Sequence, residues 1–312
     1  MTRHQQWTAA HVPDQTDRVC VVTGATSGLG LATARTLAHS GGHVILAVRD
    51  EAKGRRTAAD LAAERPGARL EVRRLDLADL TSVRAFADGL HADHERVDLL
   101  VNNAGVMAPP RTLSAQGHEL QFAANHLGHF ALTGLLLDLL GAGRDPRVVT
   151  VSSLKHRQGR LDFDDLSGAR RYHPMEFYSR SKLANALFGH ELHRRLSAAG
   201  SPVRSLLAHP GYAATALPAG SVGLVKTLFG RLLTPLAQSA EQGALPQLYA
   251  ATAPEARSGE FFGPSGPGEL RGAPTRVALA PQATDTETAR RLWEVSEQLT
   301  DVRFVLAGPA RT

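Results

Sequence analysis

Residues Arg18–Gly30 read RVCVVTGATSGLG. A short β-branched run ends in glycines, and a helix-like stretch opens at Leu29, where Leu29, Ala32, Thr33, Thr36 and Leu37 fall on one side. Glycine takes backbone torsions closed to other residues and lets the chain approach a bound group closely. A helix N-terminus just beyond adds unpaired N–H groups and the positive end of the helix dipole. Set between a strand and a helix, the glycines read as a cradle for a dinucleotide pyrophosphate. In an isolated loop they would be a plain turn.

Outward from this turn, apolar runs and helix-like stretches alternate. Gly41-Gly42 ends the first helix, and His43–Val48 (HVILAV) is the next strand. An Ala/Arg/Glu-rich helix then runs to about Glu64. Further strands are expected at Leu70–Leu75, Asp98–Val101, Arg147–Val151 and Val203–Ala208, with helices at Asp79–His91, about Ser114–Leu140 and about Glu176–Ala198. A looser helix–strand–helix tail follows. Apolar strands separated by helices make a parallel sheet covered on both faces, and right-handed crossovers make it doubly wound. The expected fold is therefore α/β: a single Rossmann-type doubly wound parallel sheet of about seven strands. A polar extension, 1–17, precedes one domain, 18–312. The Gly/Pro-rich stretch Gly259–Pro274 opens the C-terminal tail, 259–312, and reads as surface loops.

Composition narrows the function. With 43% hydrophobic and 21% charged residues in 312, the chain can bury a substantial core. One cysteine, Cys20, excludes a disulfide framework or Cys-rich zinc module and suits a reducing compartment. The net charge of +5 raises the question of nucleic acid. However, lysine is confined to Lys53, Lys155, Lys182 and Lys226, and the arginines are dispersed among 30 acids, so no nucleic-acid partner is expected. The N-terminus lacks the apolar core of a secretory signal. Ala131–Leu140 is too short to span a bilayer and holds Asp138, so a cytoplasmic protein with no integral membrane segment is expected. The histidines, notably His126 and His129, lack carboxylate or cysteine co-ligands at a recognised spacing, and no metal is expected. No G-x-S-x-G elbow follows a strand, which removes a serine hydrolase.

The spacing of Thr23–Gly30 is TGxxxGxG, and at this point the sequence resembles the short-chain dehydrogenase/reductase family. Asn102-Asn103-Ala104-Gly105 is similar to its NNAG motif, and Asn125 falls where the family has a helix asparagine. Ser152-Ser153 ends the fifth strand, Tyr178-Ser179-Arg180-Ser181-Lys182 matches YxxxK, and Pro210-Gly211 with Thr215 follows the sixth. The match runs from about Arg18 to Thr215, with a weaker echo to about Gly272. TSGLG, AVRD, YSRSKLAN and HPGYAAT resemble the retinol dehydrogenase-like branch.

Tyr178 and Lys182 lie four apart on an expected helix, so both project from one face. A phenol is a poor base at neutral pH, but a nearby ammonium favours the phenolate, making Tyr178 a plausible general acid/base for a carbonyl–alcohol pair. The resemblance implies that Ser153 hydrogen-bonds the substrate oxygen, with Ser152 the alternative, and that Asn125 holds a water linking Lys182 to solvent. It also implies cofactor contacts from Gly24, Thr26, Ser27, Gly28, Leu29 and Gly30, and from Asn103, Ala104 and Gly105. Asp76, with Leu77 beside it, would face the adenine. Pro210, Gly211 and Thr215 would close over the nicotinamide. At the end of the second strand an acid selects NAD(H) and a base NADP(H). Val48 stands at the acid's place and Arg49 follows, while Asp50 is better placed to cap the next helix; NADP(H) is expected, with NAD(H) the other option.

Between Ser153 and Tyr178, the segment Lys155–Tyr172 reads as a solvated loop at the pocket rim. The apolar stretch Leu217–Ala237 falls in the family's substrate lid, about 211–237, and points to an apolar carbonyl or alcohol substrate. The resemblance further implies a homodimer or homotetramer. The competing function is a non-catalytic NADP-binding redox sensor of the same fold, which the retained Ser, Tyr and Lys disfavour.

Overall fold

The computed structural model describes residues 6–212 and 238–306. In chain order the strands are β1 (Val19–Thr23), β2 (His43–Val48), β3 (Arg69–Arg74), β4 (Leu99–Asn102), β5 (Arg147–Val151), β6 (Arg204–Ala208), β7 (Phe261–Pro264) and β8 (Pro274–Arg276). They form one sheet in the order β3-β2-β1-β4-β5-β6-β7-β8, parallel throughout except for β8, which pairs antiparallel with β7. The order reverses direction on either side of β1 and β4, as a doubly wound sheet requires. Helices α1 (Gly28–His39), α2 (Glu51–Glu64) and α3 (Leu80–Asp93) connect the first strands. Asp50 and Asp79 cap α2 and α3 by accepting the amides of Lys53 and Thr81.

Alternate residues of each strand face opposite layers. Val21, Ile45, Leu100 and Val148 pack toward α3 and toward α7 (Pro174–Ala198), together with Phe86, Leu90, Phe188 and Leu192. Cys20, Val22, Val44, Leu46, Leu99 and Val101 pack against α1, with Leu37, and against α8 (Ala240–Thr252), with Leu248. The described part of the polar extension is also attached. Trp7 meets Tyr249 edge-on at 5.3 Å, and Gln15 is buried with its amide donating to Ser40 O.

Three expectations are corrected. The helix expected over 114–140 begins at Leu120, because the stretch before it is a turn: Gly117 has φ 81° and the Ser114 carbonyl accepts its amide. Helix α4 (Leu120–Phe122) passes through a π turn (Ala123–Leu127) into α5 (Gly128–Leu135), and Leu136 separates that from α6 (Leu137–Gly141). Within the Gly/Pro-rich stretch, Phe261 and Phe262 are buried on β7, so part of the expected surface loop is sheet, and β8 adds an eighth strand. The 155–172 segment is not simply solvated: His156 is fully buried, and Asp165 accepts the amides of Ala169 and Arg170. Helix α9 (Thr286–Thr300) then packs against α7. The expected lid beyond Tyr212, with Thr215, lies outside the described residues.

Candidate active site

The carboxyl ends of β1, β4, β5 and β6 supply the site. Gly24 and Gly28 adopt φ of 69° and 52°, and a Cβ at Gly30 would lie 2.4 Å from Gly24 O and 2.5 Å from Asn103 Nδ2. The turn therefore closes only with glycine there. Ser27 precedes α1 without a side-chain cap, so the helix's first amides are left for an anion. Thr26 and Leu29 flank that opening. Thr23 ties the turn to the NNAG loop: its hydroxyl accepts the amides of Asn103 and Ala104 at 2.9 Å each, and Asn103 Nδ2 donates to Thr23 O. Gly105 continues this loop at the surface.

Behind the loop stands His129, fully buried, with burial pushing its pKa down to about 4. Its Nδ1 faces Asn125 O, which can only accept, so Nδ1 carries the proton and Nε2 accepts the Thr23 hydroxyl at 2.9 Å. His126 is equally buried and bonds Ser296 at 2.8 Å. Both histidines serve as internal ties.

At the end of β2, Asp50 is engaged as the α2 cap while Arg49 is exposed and forms no ion pair among the described residues. Asp76 folds back to accept the Ala78 amide, beside buried Leu77. A glycine cradle that a methyl group would fill and an uncapped helix start fit the pyrophosphate of a dinucleotide.

Tyr178 and Lys182 project from α7 toward the end of β5. The two serines there separate by role. Ser152 is buried and donates to Lys182 O at 2.8 Å, whereas Ser153 is partly exposed and its hydroxyl favours the Tyr178 phenolate. Burial outweighs that effect and leaves the phenol above its ordinary pKa. The ammonium of Lys182, 5.8 Å from the Tyr178 ring centre, instead donates to Val151 O at 3.1 Å, and burial lowers its pKa to about 8. The group acting on the phenol in the protein alone is thus Ser153.

Asn125 sits in the π turn, fully buried. Its amide donates to Val106 O and Ser181 Oγ, and its Oδ1 accepts the Val106 amide. Both amide hydrogens are engaged, so a water beside Asn125 would be met by an oxygen of this residue. π turns recur at functional sites, and this one brings Asn125 and the Lys182 ammonium to the same side of Gly105, where a Cβ would lie 3.1 Å from Asn125 Oδ1 and 3.6 Å from Lys182 Nζ. Beyond β6, Gly211 has φ 68°, and Gln238 donates to Pro210 O and Leu270 O, fixing the turn.

At the opposite, amino end of the sheet, His43 and His94 both face one oxygen of Glu71, at 3.4 and 3.0 Å. Arg73 already holds the other oxygen, and burial followed by Arg69 keeps His43 neutral against the pull of Glu71. Two imidazoles sharing one carboxylate in a corner lined by guanidinium groups are accounted for by hydrogen bonding.

A doubly wound sheet with this turn and this Ser–Tyr–Lys set defines an oxidoreductase that acts on CH–OH donors with a nicotinamide dinucleotide. The chain belongs to the short chain dehydrogenase family, whose model matches residues 18–221, and its similarity runs to the retinol dehydrogenases. Human retinol dehydrogenase 13 is 43% identical over 297 residues, covering 93% of this chain and 86% of its own length. Mouse polyprenol dehydrogenase is 41% identical over 295 residues, with 93% and 85% covered. Among solved structures, an uncharacterised protein of Mycobacterium paratuberculosis is 46% identical and superimposes with a TM-score of 0.82 over 97% of this chain and 100% of that one. A Shigella flexneri short chain dehydrogenase complexed with NADP, 24% identical, shares the fold at a TM-score of 0.62 over 80% and 97%.

Proposed function

We propose that this protein is an NADP(H)-dependent oxidoreductase that interconverts a carbonyl and an alcohol on a small apolar substrate, with Tyr178 as general acid/base. The observation that carries it is the convergence at the end of β5 of the Tyr178 phenol, the Ser153 hydroxyl that acts on it and the Lys182 ammonium, 5.8 Å from the Tyr178 ring centre. In this reading Gly24, Thr26, Ser27, Gly28, Leu29 and Gly30 hold the pyrophosphate, and Asn103, Ala104 and Gly105 flank the cofactor. Asp76 and Leu77 meet the adenine, Arg49 takes the 2′-phosphate, and Pro210, Gly211 and Thr215 line the nicotinamide. The dinucleotide, when bound, supplies or accepts the hydride. Ser153 donates a hydrogen bond to the substrate oxygen and stabilises charge growing there, and Tyr178 delivers the proton to that oxygen. Lys182, close to neutral pH in its own titration, can replace the proton on the phenol, with Asn125 holding the NNAG loop and α7 together beside it.

Tyr212 and Leu270 leave 42% and 40% of their surface exposed side by side at the Gly211 turn, which supports an apolar substrate. The names of the retinol and polyprenol dehydrogenases point the same way. Cytoplasmic location and assembly as a dimer or tetramer belong to the same proposal; among the described residues no helix is long and apolar enough to cross a membrane. The test is NADPH oxidation, followed optically, against carbonyls graded by size and polarity. Apolar aldehydes or ketones are expected to be reduced, and Tyr178→Phe to lose a factor on the order of 10²–10⁴. Full activity in that variant overturns the assignment of Tyr178. Tight NADPH binding with no carbonyl reduced would favour a redox sensor.

A further inference from the structure

His209 follows β6 directly and is fully buried, yet no catalytic task falls to it. Its Nδ1 accepts the Gly211 amide at 3.1 Å, which leaves Nε2 to carry the ring proton, and that N–H meets Glu269 Oε2 at 2.9 Å. The tautomer is therefore fixed by its two partners. The same carboxylate takes Arg157 through both oxygens, at 2.6 and 2.7 Å. Arg157 belongs to the 3-10 turn Leu154–Gln158 that opens at Ser153, whose hydroxyl accepts the Lys155 amide. The backbone of this turn is anchored as well: His156 Nδ1 donates to Ser153 O at 2.7 Å, and Gln282 donates to Arg157 O at 2.6 Å. One side chain from the β7–β8 connection thus joins the turn after β5 to the turn after β6.

We propose that Glu269 is a positioning residue for the cofactor site, holding the Gly211 turn through His209 and tying it through Arg157 to the turn that carries Ser153. The proposal rests on the functional reading above for what the two turns touch: the nicotinamide on one side and the substrate oxygen on the other. A charge-assisted bond to a buried, singly oriented imidazole is well suited to this, because neither partner can turn without leaving a buried polar atom unpaired.

The test uses the full chain and the variants Glu269→Ala, Glu269→Gln and Arg157→Ala. Arg276→Ala serves as a control, breaking the exposed pair with Glu260. In cofactor-free protein, hydrogen exchange of the Gly211 amide should rise at least tenfold in Glu269→Ala. In Glu269→Gln it should return to within threefold of wild type, since a side-chain carbonyl can still accept the His209 N–H. With NADPH added, the emission gain of the bound nicotinamide should fall by at least half in Glu269→Ala and Arg157→Ala, while Kd changes less than threefold. A folded Glu269→Ala whose exchange and emission stay within twofold of wild type overturns the proposal. So does a control that loses as much. Failure of the functional reading would look different: no carbonyl reduced by wild-type protein, with the exchange result unaffected.

Discussion

A buried ammonium disfavours the folded state unless it is well paired, and among the described residues Lys182 donates to one carbonyl, Val151 O. Its pKa falls from 10.5 to about 8 on folding, so between those values the unfolded chain holds a proton the folded one has released. Stability therefore rises with pH across that window, and below pH 8 the full cost, about 3 kcal/mol at most, is carried by the fold. Lys182→Met should abolish reduction while raising the melting temperature at pH 7 by about 2–4 °C. A variant that melts lower than wild type would show that the ammonium is better solvated than its burial implies. The neighbouring serines offer a second discrimination. Ser153→Ala should cost activity by a factor on the order of 10² and raise the apparent pKa of the phenol, since its hydroxyl favours the phenolate. Ser152→Ala should leave the chemistry nearly intact but lower stability by about 1 kcal/mol through the lost bond to Lys182 O. Activity profiles and urea melts of the two variants separate the roles; equal effects would refute the division.

Elements differed in how openly the sequence displayed them. β1, its glycine turn and α1 were legible because steric need, apolar run and helix period all agree at Arg18–Gly30. The division of labour at the end of β2 was legible too, since a short acid before a helix is a cap and a guanidinium is not: Asp50 accepts the Lys53 amide, and Arg49 stays exposed. Arg49→Asp should accordingly raise KM for NADPH at least tenfold more than KM for NADH, as steady-state rates with each cofactor would reveal; equal changes would remove Arg49 from the phosphate site. The helix carrying Asn125 starts only at Leu120 because Ser114–Gly117 forms a turn, and its π turn is hidden as well, since one added residue in the local repeat does not register in apolar periodicity over Ala/Leu-rich sequence. β7 was hidden for another reason. Its Gly and Pro neighbours read as loop, yet Phe261 and Phe262 are buried and pair with Leu207 and Ala208. Glu269 could not be singled out at all, since nothing local marks a carboxylate that reaches residues more than a hundred and about sixty positions away.

At the scale of the whole molecule, three buried histidines join distant elements around the site. His126 ties the π turn to α9, His129 ties it to β1, and His209 ties β6 to the β7–β8 connection. Burial lowers their pKa values from 6.5 to about 3, 4 and 4, the last against the pull of Glu269. Each folded-state value lies below the unfolded one. Their neutral forms therefore lend stability that is whole above pH 6.5 and is lost as pH falls toward 4, because the unfolded chain gains protons the folded chain refuses. Buried His156 and the partly buried His43, His118 and His193 shift in the same direction, while His91, paired with Asp138 near the surface, opposes them weakly. The three fully committed rings alone imply a slope of about 3–4 kcal/mol per pH unit below pH 6. Urea unfolding at pH 7, 6 and 5.5 measures it. His126→Gln, whose amide can still donate to Ser296, should flatten the slope by about 1.3 kcal/mol per pH unit whatever it does to stability at pH 7. An unchanged slope would mean that His126 is protonated within the fold, and that the π turn beneath Asn125 is not locked by a neutral ring.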